Sequence, residues 1–214
     1  MNTNNRTIFC KDNLDILRCI DSECMDMIYL DPPFNKKKSF TAPIGTTARG
    51  ASFKDIFGKE DFKDEWREEF RVEHKELYNF IETMQFYAND SDVAYIAYMG
   101  IRIIECHRIL KDDGCLFYHC DDTMQHYIKI MLDIVFGREN FRNEINWKRT
   151  SSHNDGLKLG RITDAILYFA KSNDHLSNKV YIERPNPEDY FESVEPETGR
   201  KYTRNNSHAL ERDG

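Results

Sequence analysis

A chain of 214 residues is long enough for one domain plus an appendage with a substantial hydrophobic core, which excludes a miniature stapled scaffold. Thirty Lys and Arg against thirty-seven Asp and Glu give a net charge of −7, so contact with a polyanion requires a local basic patch. With 40% hydrophobic residues, no leader-like run in residues 1–10, no stretch of eighteen apolar residues and six cysteines without a C-x-x-C pair, a folded cytoplasmic protein without a membrane span is expected.

Residues 6–10 (RTIFC) and 25–30 (MDMIYL) are short runs of β-branched, aromatic and aliphatic residues, expected as buried strands. Between them Leu14, Ile16, Leu17 and Ile20 recur at helical spacing behind Asp12 or Asn13 as the N-cap. A strand, helix, strand unit predicts parallel pairing of its two strands, and such sheets bind ligands beyond the strands' carboxyl ends. Lys11-Asp12 and Asp31-Pro32-Pro33-Phe34 occupy those two places.

Residues 53–90 carry eleven acids and six bases and read as a solvated insertion, with Trp66, Phe70, Leu77, Phe80 and Ile81 as a face that packs onto the body. A helix is predicted over 91–110, ended by Asp113-Gly114, then a strand over 115–120, a helix over 124–136 stopped by Gly137, and strands over 142–147 and 165–170. This alternation requires an α/β fold. Cys115, His119 and Cys120 alternate faces on their strand and converge poorly on one metal, so no metal site is assigned. Asp122-Thr123 would suit a helix N-cap or the border of a cleft, and beyond Lys171 no periodicity is sustained.

Asp31-Pro32-Pro33-Phe34 has two readings. Proline cannot continue a ladder, so the string would end a strand by itself. It also suits chemistry on an exocyclic amine of a nucleobase, whose lone pair is delocalised into the ring. An enzyme that accepts hydrogen bonds from both N–H groups draws that nitrogen toward tetrahedral geometry. The Asp31 carboxylate and the Pro32 carbonyl are two neighbouring acceptors, the paired prolines stiffen the backbone, and Phe34 offers a ring for a base rotated out of the duplex. The carboxylate also suits the positive charge that develops on an alkylated amine. No proline precedes a cysteine, so the Pro-Cys nucleophile of C5-cytosine methylation is missing.

The string resembles the target-amine motif of DNA amino-methyltransferases, which modify N6 of adenine or N4 of cytosine. Residues 10–17 (CKDNLDIL) ahead of 31–35 (DPPFN) are similar to the start of the permuted beta class, which includes the Mod subunits of type III restriction systems. Residues 117–149 and 164–171 (DAILYFAK) match that class in wording and order, so the likeness covers about residues 7–171. The resemblance implies a Rossmann-like α/β sheet that uses S-adenosylmethionine. It implies that Asp31, Pro32, Pro33 and Phe34 contact the target amine and that Asp12 helps hold the cofactor. The aspartate at 31 leans toward adenine. Lys11 departs from the class, many of whose members carry Gly there.

The larger departure is that no Asp-x-Phe-x-Gly-x-Gly loop follows, the ten glycines being scattered. The sheet is therefore expected to be incomplete, with residues 1–172 the catalytic part, 53–90 its acidic insertion and 173–214 the start of a target-recognition region. The isolated chain is expected to be inactive, with duplex DNA carrying a flipped base as partner and a second chain with the glycine loop, or a restriction subunit, as a further one. Lys36, Lys37, Lys38, Lys148 and Arg149 are candidate DNA contacts, since residues 142–171 hold six bases against three acids. The alternatives are N4-cytosine methylation, transfer to an RNA base or to protein glutamine, and a non-catalytic DNA-binding remnant.

Overall fold

A computed structural model describes residues 6–41, 45, 52–151, 154–155, 158–178 and 193–202. In chain order the elements are α1 (Asn13–Cys19), β1 (Met25–Leu30), β2 (Lys38–Thr41), β3 (Ser52–Asp55), α2 (Asp64–Glu73), α3 (Lys75–Met84), α4 (Asp90–Ile109) and β4 (Leu110–Cys120). There follow α5 (Gln125–Phe136), β5 (Phe141–Lys148), β6 (Asn154–Asp155), β7 (Lys158–Leu159), β8 (Thr163–Ala170), β9 (Ser193–Val194) and β10 (Lys201–Tyr202). The chain divides into two compact units, residues 1–176 and 177–214. In the second, β9 and β10 pair antiparallel and Gly199 turns at φ +69.

The first unit has the expected α/β architecture, built on a mixed four-stranded sheet in the order β1-β4-β8-β5. β1 runs parallel to β4, with Leu30 opposite Tyr118, and the crossover between them passes through α2, α3 and α4. β8 runs antiparallel to both β4 and β5. The carboxyl ends of β1, β4 and β5 and the amino end of β8 therefore fall on one side of the sheet. Leu116 and Tyr118 of β4 and Leu167 and Phe169 of β8 are fully buried, because they stand on the sheet face that joins the hydrophobic core.

Helix α4 lies at the centre of the core. Residues 93–97 are buried consecutively, so it is enclosed on more than one side and its sequence shows little net amphipathicity. Trp66 and Phe70 of α2 and Leu77, Ile81 and Met84 of α3 join the same core. The acidic segment is thus solvated on one face only. Gly137 ends α5 at φ +86, as its position in the sequence implies.

Four expectations are corrected. Residues 6–10 form no strand and are exposed throughout, Ile8 to 94%. A strand exists only in a ladder, and among the described residues β1 is the last strand on its side of the sheet. The parallel partner of β1 is consequently β4. Nor is β1 buried: Ile28 and Leu30 pack against the core on one face, while Met27 and Tyr29 on the other stay more than half exposed. Finally, α4 does not stop at Asp113-Gly114, since Leu110 is already extended and begins β4. Gly114 lies inside that strand, where a Cβ would come within 2.9 Å of the Lys111 carbonyl oxygen and 3.1 Å of that of Asp26.

Candidate active site

Asp31 follows β1 directly, and its side chain is 60% exposed. His119, next along β4 from the residue opposite Leu30, brings its Nδ1 to 3.1 Å from Asp31 Oδ1. Its Nε2 lies 3.4 Å from Oδ2 of Asp164, a buried carboxylate near the start of β8. Arg149, just after β5, holds Nη1 at 3.2 Å from Asp164 Oδ1. Neither the Asp31–His119 nor the Arg149–Asp164 approach is aligned as a hydrogen bond. All four strands thus contribute to one row: Asp31, His119, Asp164, Arg149.

The turn after Asp31 is held from behind. The Tyr95 hydroxyl donates to the Pro33 carbonyl at 2.8 Å and lies 3.1 Å from the Tyr118 hydroxyl. Burial pushes both phenols well above their ordinary pKa, so both stay protonated as donors. With Pro33 engaged, and no hydrogen bond to the Pro32 carbonyl among the described residues, Pro32 is the acceptor left beside Asp31. Phe34 meets His119 edge-on at 5.2 Å between ring centres, and Lys36 Nζ lies 5.1 Å from the Phe34 ring centre.

Beside this turn is a depression of about 370 Å³ lined by Asn35, Lys36, Lys37, Lys38, Asp121, Asp122, Thr123, Arg149 and Arg161. Its cations are partly matched by acids: Lys36 pairs with Asp121 at 3.4 Å and Arg161 with Asp122 at 2.7 Å. Lys37, Lys38 and Lys148 are exposed, so of the five candidate DNA contacts Lys36 and Arg149 already have protein counter-ions. Asp121, rather than Asp122, accepts the Thr123 N–H at the entry to α5. Sequence reasoning missed Asp164 and Arg161 as parts of this end of the sheet, because sequence spacing carries no sign of which strands share an end.

Asp12 is separate from this row. It caps α1 by accepting the Leu14 N–H at 2.9 Å, and it pairs with Arg102 Nη2 at 2.8 Å. Partial burial raises its carboxyl pKa, but the Leu14 bond and the Arg102 charge outweigh this and hold it below the ordinary value. Arg102, itself buried, also donates to Asn13 and to the Tyr98 carbonyl and stacks 3.4 Å from the Tyr98 ring centre. Tyr95, which touches the Asp31 turn, lies seven residues before Arg102 on α4, about 10 Å along the axis. One helix thus braces both carboxylate-bearing segments.

Asp31 and the Pro32 carbonyl thus lie just beyond the carboxyl end of β1, with His119 of β4 beside them. The family model described as DNA methylase, of the N6/N4 methyltransferases, matches residues 25–211, and the chain belongs to that family. It is 29% identical over 177 residues to the Mod subunit of the type III restriction-modification enzyme StyLTI of Salmonella typhimurium, covering 80% of this chain and 25% of that one. To the type II methyltransferase M.EcaI of Enterobacter cloacae it is 32% identical over 99 residues, 46% of this chain and 22% of that one. The chain spans about a quarter of the length of these relatives. A solved PvuII cytosine-N4-specific DNA methyltransferase aligns at 10% identity with a TM-score of 0.40, over 79% of this chain and 50% of that one.

Proposed function

We propose that this chain is the target-amine part of a restriction-modification DNA methyltransferase that acts on N6 of adenine in duplex DNA. The observation that carries this reading is the exposed Asp31 carboxylate beside the Pro32 carbonyl at the carboxyl end of a parallel strand. In this reading both oxygens accept from the amine, localising its lone pair, and the carboxylate stabilises the positive charge that grows on nitrogen. Phe34 supports the extruded base. A proton released from the methylated amine has Asp31 Oδ1 beside it and His119 Nδ1 3.1 Å further on. Lys36, Lys37, Lys38, Lys148 and Arg149 meet phosphates, Lys36 and Arg149 by exchanging Asp121 and Asp164 for the backbone.

The implied cofactor, S-adenosylmethionine, would supply an electrophilic methyl group. The residues present fit part of its cradle: Asp12 is half exposed, and its Leu14 and Arg102 bonds both fall on Oδ1. Asp12 would hold the cofactor through its second oxygen, and the remainder of the cradle belongs to a glycine loop outside these residues, in a longer chain or a partner.

The test is incubation of the intact protein with tritiated S-adenosylmethionine and duplex DNA, followed by nucleoside analysis. Label in N6-methyladenine is expected, and Asp31→Ala should lower it by about a hundredfold or more. Label in N4-methylcytosine would replace adenine by cytosine, and undiminished label in the variant would refute the assigned chemistry.

A further inference from the structure

The turn that carries the acceptors is fixed by a residue outside the Asp-Pro-Pro-Phe string. Asp55, the last residue of β3, is 2% exposed. Its Oδ1 accepts the Asn35 N–H at 2.6 Å and its Oδ2 accepts the Lys36 N–H at 3.1 Å. Asn35 stands at φ +60, a left-handed conformation that a residue with a side chain adopts at a cost and keeps only when its surroundings determine it. Those surroundings are on the page. The Asn35 carboxamide donates to Asp92 at 2.8 Å and accepts from the Ser91 hydroxyl at 2.8 Å, while Asp55 takes the two successive backbone donors.

The chemistry of this clamp calls for a carboxylate. Only an ionised acid presents two acceptor oxygens and no donor. An asparagine of the same shape would turn an NH2 group toward one of the two N–H groups and leave it unbonded in a buried place. Because each proline fixes its own φ, the orientation of the Asn35 and Lys36 peptides is transmitted back along Phe34, Pro33 and Pro32 with little slack.

We propose that Asp55 is a positioning residue for the target amine: by seizing the Asn35 and Lys36 N–H groups it sets the direction in which Asp31 and the Pro32 carbonyl face. The inference rests on the reading of Asp31 as the amine acceptor. It gives a task to β3, which lies within the acidic segment and outside the central sheet.

The experiment compares the ¹⁵N-labelled 214-residue chain with Asp55→Asn by NMR, using two pairs of probes: adenosine against purine riboside, and cytidine against its analogue lacking the 4-amino group. In the variant the Asn35 and Lys36 amides should lose their downfield shifts and exchange about tenfold faster, while the Leu116 and Leu167 amides stay in place. The wild-type chain should prefer one amine-bearing nucleoside over its amine-free analogue by roughly fivefold. The variant should lose that preference with its affinity for the analogue unchanged, whereas a general loosening of the fold would weaken both alike. Unchanged Asn35 and Lys36 amides, or a preserved preference, would overturn the proposal. Absence of any preference in the wild-type chain would instead defeat the amine-acceptor reading, and the amide shifts alone would then decide whether Asp55 sets the turn.

Discussion

Residues 6–10 and β1 are both short runs rich in β-branched, aromatic or aliphatic residues, and each is soon followed by a carboxylate, Asp12 or Asp31. β1 lies against β4 and is a strand; residues 6–10 form no strand and are exposed. The fate of the two acids follows. Asp31, at the end of a paired strand, meets His119 through Oδ1 and stays more than half exposed. Asp12, following a segment that forms no strand, is claimed by the first turn of α1 and by Arg102. Apolar alternation states that a segment is able to be a strand, and only a neighbour with free backbone groups makes it one.

Three measurements would break or sharpen this contrast. Thiol labelling has the widest expected range. Cys10 sits exposed at the end of residues 6–10, whereas burial pushes the Cys120 thiol at the end of β4, and Cys106 on α4, up to about 12. At pH 8 a thiol at 12 is about one part in ten thousand thiolate and is also shielded from reagent, so Cys10 should react faster than Cys120 and Cys106 by roughly a hundredfold or more. Equal rates would mean that residues 6–10 are covered. Next, Arg102→Ala strips a buried cation from Asp12, Asn13 and the Tyr98 ring, and is expected to cost about 3–5 kcal/mol in urea unfolding. A loss below about 1 kcal/mol would show that the bracing of Asp12 contributes little. The third compares paired and edge strands: Leu116→Ala in β4 should cost about 2–5 kcal/mol, and Met27→Ala in β1 less than about 0.5 kcal/mol. A large Met27 effect would reveal that the outer edge of β1 is covered in solution.

Much of the architecture was legible. The strand at Met25–Leu30, the helix stopped by Gly137 and the strands at Phe141–Lys148 and Thr163–Ala170 follow patterns of period and termination that act within a few residues. Asp31 stood out because a strand stop carrying a carboxylate and two prolines has few other uses. The roles of Asp55, Asp164 and Arg161 were not legible. Each lies far along the chain from the Asp31 turn, and their side chains reach it or its border only through sheet order or the β2–β3 pairing. The end of α4 was misjudged for a related reason: Asp113-Gly114 looks like a helix stop, yet Gly114 is needed where β4 passes close to the Asp26 backbone.

The sequence by itself determined the α/β alternation, the acceptor string and membership of the N6/N4 DNA methylase family, because period, turn chemistry and motif wording are local properties of the chain. Only the tertiary structure decided that residues 6–10 would form no strand, that Asp12 would pair with Arg102 while Asp31 met His119, and that Asp55 would accept from the Asn35 and Lys36 N–H groups. Those outcomes depend on which backbone groups and charges are left without partners once the sheet has formed, and that is a property of the assembled fold.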